Sequence, residues 1–145
     1  MRAPSEAAVG YRCTTCEFQL WSPLATLSVS TLGLYDDDRF PGRCLLVLTD
    51  HYEHLDEVPD VLAASFLADV QRTARALRKG LAADRVNVAV LGNAEPHVHA
   101  HLVPRWPVKE PRPHKSPWDD PRRRGSLPSQ DKLALARDIV GALVD

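Results

Sequence analysis

The sequence predicts an α+β fold: a mostly antiparallel sheet, one long helix and a second helix at the C-terminus. Three observations predict it. Between Asp60 and Lys79, residues Val61, Leu62, Phe66, Leu67, Val70, Ala74 and Leu77 recur at three- and four-residue steps, the stripe of an amphipathic helix. Short apolar runs with strand character lie both before and after that helix. His97-Val98-His99-Ala100-His101 alternates imidazole and apolar side chains with the period of an extended strand.

The length of 145 residues fits one domain with a substantial core. The first 23 residues read as irregular, with Pro4, Gly10 and Pro23 as breakers. Leu24 to Tyr35 mixes Leu, Val, Thr and Ser without proline and reads as one or two strands. Asp36 to Gly42 is a turn or loop, and Arg43 to Thr49 a short apolar strand in which Cys44 is a small core residue. After the long helix, Gly80 is placed to stop it in a left-handed conformation. Arg85 to Leu91 is the next strand, with Val86, Val88 and Val90 on one face. The short connection Gly92 to Pro96 makes that strand an antiparallel partner of the histidine strand. Pro104 to Pro128 is a proline-rich, charged arm, either ordered on the surface or partly flexible. Asp131 to Val144 is an amphipathic helix anchored by Leu133, Leu135, Ile139 and Leu143.

A net charge of −1 argues against a general nucleic-acid surface. Arg122-Arg123-Arg124, with Lys115 and Trp118, has the chemistry to touch RNA or polyphosphate. The near-neutral whole favours a solvated arm packing on the domain or on a partner subunit, with Trp118 as anchor. No apolar run approaches the roughly 20 residues that span a bilayer. Met1 to Gly10 has no secretory apolar core, so the expected location is cytoplasmic. Three cysteines, Cys13, Cys16 and Cys44, do not make a disulfide framework.

On a strand the three imidazoles share one face, and Val98, Ala100 and Leu102 share the other. Imidazole titrates near neutral pH, which suits nucleophilic, acid–base or metal chemistry. Neighbouring rings start about 6.6 Å apart and the outer pair about 13 Å. Two neighbours can meet one zinc ion, but three on a flat strand are poorly shaped for a single metal. Nucleophilic catalysis fits the spacing better. A neutral ring nitrogen attacks phosphorus while the flanking rings hydrogen-bond the phosphoryl oxygens or relay protons. Three merely structural histidines would each need a buried hydrogen-bond partner, which is the weaker explanation.

The stretch His97-Val98-His99-Ala100-His101-Leu102-Val103, running into Pro104-Arg105, resembles the signature of the histidine-triad (HIT) family of nucleotidyl hydrolases and transferases. Phe40-Pro41-Gly42 before an apolar strand, His51-Tyr52-Glu53-His54-Leu55 before the helix, and Asn87 to Asn93 follow the family's order. The resemblance covers roughly Cys13 to Arg105. It implies a HIT-like catalytic domain over 1–105, including the Cys-x-x-Cys segment. Residues 106–145 then form the basic arm and C-terminal helix, packed on the same domain.

The resemblance implies an enzyme that cleaves at the α-phosphate of nucleoside phosphate derivatives through a nucleotidyl-histidine. Dinucleoside polyphosphates, phosphoramidates and adenylylated small molecules are the candidate substrates. His99 is then the nucleophile, with His97 and His101 orienting it and contacting the phosphate. Asp36 resembles the ribose-binding acid, although Asp37 or Asp38 could take its place. Asn93 stands where the family has a polar residue near the phosphate, and is equally a turn residue. Two positions depart from the family. Its Pro-Gly-His is here Pro41-Gly42-Arg43, and arginine can bind phosphate but cannot act as a base near neutral pH. Its Gly-x-Gln-Ser/Thr segment is reduced to Ala94-Glu95-Pro96 between Asn93 and His97, which alters the leaving-group apparatus. A homodimer, a nucleotide ligand, no membrane association, and no catalytic metal or organic cofactor are implied.

Cys13-Thr14-Thr15-Cys16 suits two thiolates on one zinc ion. Some bacterial HIT proteins complete such a site with the first triad histidine and the histidine nine residues after the Pro-Gly glycine. Here those are His97 and His51. By this resemblance Cys13, Cys16, His51 and His97 hold a structural zinc and leave His99 free. A redox pair or two unconnected thiols are the rivals. His54 and His114 read as surface residues. Two other functions compete: a zinc-stabilised nucleotide-binding module with little or no turnover, and a metal-dependent phosphoesterase with histidine ligands.

Overall fold

The computed structural model describes residues 10–144. A two-stranded antiparallel hairpin, β1 (Tyr11–Arg12) and β2 (Gln19–Leu20), precedes the main sheet. That sheet contains β3 (Pro23–Thr26), β4 (Ser30–Leu34), β5 (Cys44–Leu48), β6 (Arg85–Ala89) and β7 (His99–Arg105). Its order is β3-β4-β5-β7-β6, and every neighbouring pair is antiparallel. Helices α1 (Asp60–Leu81) and α2 (Ser129–Leu143) complete the α+β fold. No helix among the described residues is long and apolar enough to cross a membrane.

Strand alternation divides the side chains between two faces. Leu46, Leu48, Ala100 and Leu102 pack with Phe66, Leu77, Ile139 and Leu143 in the main core between sheet and helices. Val47 and Leu45 turn the other way, toward Phe18, Leu20 and Cys13 of the hairpin segment. The β5–β7 register sets Leu45 opposite His101 and Val47 opposite His99. The histidines therefore lie on the hairpin side, with Val98, Ala100 and Leu102 anchored in the core behind them.

Several local expectations are corrected. The first 23 residues are not wholly irregular: they contain β1, β2 and the start of β3. Two-residue strands carry too little alternation to be read. The hairpin turn is closed by the Cys13–Phe18 backbone hydrogen bond and by Glu17 at φ 66°. The reading of Met1 to Gly10 as free of a secretory core falls, Gly10 aside, outside the described residues. Helix α1 runs through Gly80, and Ala82 is the left-handed residue, at φ 52°. Gly80 serves packing instead. A Cβ there would lie 2.7 Å from the Asp138 carbonyl oxygen of α2. Propensity alone says that Gly80→Ala stabilises the helix by about 1 kcal/mol. The clash with rigid backbone reverses the sign, and a net loss of about 1–3 kcal/mol is expected in urea unfolding.

Val61 and Leu67, expected in the buried stripe of α1, are exposed, while Asp69 and Thr73 are buried. Asp69 accepts hydrogen bonds from the Val29 amide (2.9 Å) and the Ser30 hydroxyl (2.6 Å), tying α1 to the β3–β4 turn. A polar tether therefore shares the buried side of α1 with the apolar stripe. Leu133 of α2 is exposed, and Val140 joins Ile139 and Leu143 in the core.

The arm after β7 is fastened at both ends. The buried Arg105 guanidinium donates to Glu110 (2.7 Å), Asn87 (2.6 Å) and the Lys115 carbonyl (2.9 Å). Farther on, the Gly125 amide donates to Asp38 and the Leu127 amide to Asp36, each at 2.8 Å. These contacts bring Trp118 and Arg124 back over the sheet.

Candidate active site and metal centre

The turn between β1 and β2 places both cysteines against the histidine face. Cys13 Sγ lies 3.5 Å from His51 Nδ1, and Cys16 Sγ lies 3.4 Å from His97 Nδ1. The two Nδ1 atoms are 3.3 Å apart, and all four donors fall within 4.8 Å of one another. A tetrahedron with arms of about 2.0–2.3 Å has edges of roughly 3.3–3.8 Å; the three contacts of 3.3–3.5 Å match it, so the set is compatible with zinc. The outer hydrogen bonds agree. His97 Nε2 is 2.7 Å from the Leu48 carbonyl, which can only accept. Nε2 therefore carries the proton and Nδ1 presents a lone pair to the cluster. Tyr11 supports the same ring, its hydroxyl 3.1 Å from His97 Nε2 and donating to the Thr49 carbonyl at 2.9 Å. Burial works against the Cys13 thiolate, but hydrogen bonds from the Cys16 and Thr15 amides outweigh it and bring the thiol down to about 6. Burial pushes the Cys16 thiol up.

His97 also shapes its neighbour. His99 Nδ1 lies 2.8 Å from the His97 backbone carbonyl. A carbonyl only accepts, so Nδ1 carries the proton and Nε2 keeps its lone pair. His99 is 7% exposed, and its ring packs 5.3 Å from Phe18 and 5.3 Å from His101. That small exposure is what matters, because His99 lines both a cavity of about 620 Å³ and a smaller one of about 160 Å³.

His101 is set the other way round. Arg43 Nη2 lies 3.2 Å from His101 Nδ1. Guanidinium only donates, so at this contact His101 Nδ1 stands as the acceptor. Burial, then the charge of Arg43, then His99, hold His101 down at about 4. Trp118 closes one side, its ring edge-on at 5.2 Å. Gly42, at φ 100°, makes the turn that delivers Arg43, and a Cβ there would strike Leu81.

The remaining predicted residues divide. The sequence offers Arg43 as a phosphate contact. Arg43 is instead buried, donating to Asp37 at 2.9 Å with its guanidinium 4.0 Å over the Tyr35 ring. Asp36 does line the larger cavity, but its carboxylate also accepts from the Leu127 amide and pairs with Lys132 at 3.1 Å. The Leu127 amide and Lys132 hold it below the usual carboxylate range. Asp37 is buried. Burial opposes its charge, and hydrogen bonds from Arg39 and Arg43 outweigh that and hold it low. Asn93 is exposed and lines neither cavity, whereas Glu95 of the same loop lines the larger one.

Sequence comparison places this geometry. The model of the HIT domain matches residues 30–108, more than half of the chain. The chain belongs to the HIT domain family. It is 37% identical over 73 residues to an uncharacterized HIT-like protein of Methanocaldococcus jannaschii. That match covers 47% of this chain and 56% of the relative, so the chain spans little more than half of the relative's length. The fold is shared with solved HIT proteins. A histidine triad protein of Sinorhizobium meliloti superposes with a TM-score of 0.74 at 22% identity, over 83% of this chain and 87% of that one. A Zn-bound histidine triad family protein of Mycobacterium smegmatis gives 0.62 at 24% identity, over 84% and 83%.

In this HIT chain the wall of the larger cavity comes largely from residues that sequence reasoning passed over. Phe18, Leu20 and Trp21 stand on the side of the hairpin and Tyr35 just past the end of β4, and Arg124 of the basic run joins them from the arm. Trp21 is 84% exposed, which is unusual for so large an apolar surface. Arg124 donates to the Tyr35 hydroxyl and lies 5.3 Å over its ring. One available signal was the acidic run Asp36 to Asp38 facing the basic run Arg122 to Arg124 across the sequence. The acidic run meets the residues just beyond the basic run, where the Gly125 and Leu127 amides donate to the carboxylates of Asp38 and Asp36.

Proposed function

We propose that this HIT protein is a nucleotidyl hydrolase or transferase acting at the α-phosphate of a nucleoside phosphate derivative, with His99 as nucleophile. Membership of the HIT domain family supports a nucleotide-binding, hydrolase- or transferase-type role. The observation that carries the reading is the paired polarity of His99 and His101. His99 offers an Nε2 lone pair toward a cavity of about 620 Å³, and beside it His101 offers an Nε2–H donor.

The reaction has two displacements. His99 Nε2 bonds to phosphorus, and the bond to the leaving group breaks with its electron pair, the departing atom gaining a proton from solvent. His99 becomes a cationic nucleotidyl-imidazole, and its Nδ1–H bond to the His97 carbonyl strengthens as that charge develops. Water then adds to phosphorus and gives up a proton, and the N–P pair returns to Nε2. His101 stabilises the phosphoryl oxygens in both steps. Phe18, Trp21 and Tyr35 offer aromatic surface to a base, and Asp36 offers an oxygen to ribose hydroxyls.

Cys13, Cys16, His51 and His97 are proposed to hold a structural zinc ion that fixes the hairpin against β7. Four protein donors leave no open coordination position, which argues against the metal-dependent phosphoesterase. A homodimer is proposed as well, and the exposed Val88, Val90 and Leu91 in and beside edge strand β6 support it. The binding-module reading is favoured by Glu17, Asp36 and Glu95 in the cavity wall, which oppose a polyanion, and by Arg43 being engaged elsewhere.

Intact-mass detection after mixing with a panel of nucleotidyl donors decides between them. The expected result is a transient mass increase of one nucleoside monophosphate, mapped to His99. Binding of AMP with neither adduct nor cleavage from any donor would establish the binding module.

A further inference from the structure

We propose that Arg43, held by Asp37, is a positioning residue that fixes His101 as a neutral ring with its proton on Nε2. The inference deepens the proposed reaction and rests on it for the consequence, but not for the geometry. Arg43 is 3% exposed and Asp37 is fully buried, so this ion pair is a built part of the interior and not a surface accident. One guanidinium nitrogen, Nη1, donates to Asp37 at 2.9 Å, and Nη2 lies 3.2 Å from His101 Nδ1. Nε is buried without a partner among the described residues. Such a cost is expected where the fork is aimed by something other than its own satisfaction.

The planar fork explains the departure from Pro-Gly-His. A histidine at position 43 could donate or accept at a given nitrogen, and would leave the tautomer of His101 free. Arginine can only donate, so Nδ1 of His101 can only accept, and its proton stands on Nε2. The groups that face His101 agree on the sign. Arg43 and His99 oppose a positive charge on it, and Tyr35 and Trp118 enclose it with rings at 6.1 and 5.2 Å. Arg124 also lines its cavity, and Asp36, Glu17 and Glu95 line that cavity from the acidic side. Asp37 pairs with Arg43 and with Arg39, each at 2.9 Å, so it holds the Arg43 fork while its charge is divided between two guanidinium groups.

The test begins with the unaltered protein carrying ¹⁵N-labelled histidine. Long-range ¹H–¹⁵N spectra, assigned with His101→Gln, are expected to show His101 as the Nε2–H tautomer and still neutral at pH 5. An Nδ1–H tautomer, or protonation of His101 near pH 6.5, overturns the proposal whatever the protein's activity. Arg43→Gln and Arg43→Lys follow, with zinc content and circular dichroism as fold controls. In Arg43→Gln, His101 is expected to titrate about one pH unit higher or more, with the acid limb of kcat moving with it. The loss is expected in kcat, by roughly 10-fold or more, with KM little changed. Arg43→Lys keeps the charge beside His101 and is expected to restore the low titration in part. Superposable His101 titrations and kcat profiles in Arg43→Gln and the parent would also overturn the proposal. A parent protein that never labels on His99 removes the proposed reaction instead, and the tautomer spectrum still decides the role of Arg43.

Discussion

His99→Ala is expected to abolish covalent labelling and to lower kcat/KM for the best nucleotidyl donor by about 10⁴-fold or more. Nucleotide binding and zinc content are expected to persist. The separation follows from what each atom of the triad touches. The proposed metal site would take the Nδ1 of His97 and nothing from His99. The His99 ring contributes one hydrogen bond, to a backbone carbonyl, and modest packing against Phe18. Its removal leaves the hairpin, the sheet and most of the cavity wall in place, but takes away the only triad ring nitrogen that the structure gives as an open lone pair. Equilibrium binding of a non-hydrolysable nucleotide, measured beside turnover, checks the pair of outcomes. Unchanged turnover in His99→Ala would remove the covalent route altogether.

The contrast with His97 and His101 bears on what could be read from sequence. Period two along residues 97–102 was legible because its apolar half is compelled: Val98, Ala100 and Leu102 sit in the main core, so the imidazoles have only one face left. The long helix was legible for the same reason, in Phe66, Val70 and Leu77. What differs among the three rings was not legible. Each role is set by one hydrogen-bond partner: Leu48 for His97 and Arg43 for His101, both across the fold, and for His99 the carbonyl of His97 two residues back, which the ring reaches only in this local geometry.

Arg43 shows the limit most clearly. Its charge suggested phosphate, but its partner is a buried Asp37 six residues earlier in the chain, and burial is a property of the whole fold. Gly80 was misread for a kindred reason. Its use lies in the closeness of Asp138, which no local pattern records. Trp118 and Arg124 stand out in the sequence of the arm, but their place at the site depends on Arg105, Asp36 and Asp38 fastening it.

Loss of the metal ligands is expected to produce the largest change in stability. Cys16→Ser, or prolonged exposure to a strong chelator, is expected to reduce zinc from about one ion per chain to none. The melting temperature should fall by on the order of 10 °C, corresponding to roughly 3 kcal/mol for a domain of this size. The cause is topological. Strands β1 and β2 are only two residues each and pair with one another, not with the main sheet. Apart from Phe18, Leu20 and Tyr11, the metal is what would join this hairpin to β7. Because Phe18, Leu20 and Trp21 also wall the larger cavity, nucleotide affinity should fall together with stability, although Cys16 touches no part of the reacting phosphate. Turnover per bound nucleotide should fall less, since the His99 and Arg43–His101 hydrogen bonds belong to the main sheet. Metal analysis, thermal unfolding and titration with AMP on the same samples separate these effects. A native protein free of zinc whose Cys16→Ser variant melts unchanged would reduce the cluster to two thiols and two imidazoles that merely lie close.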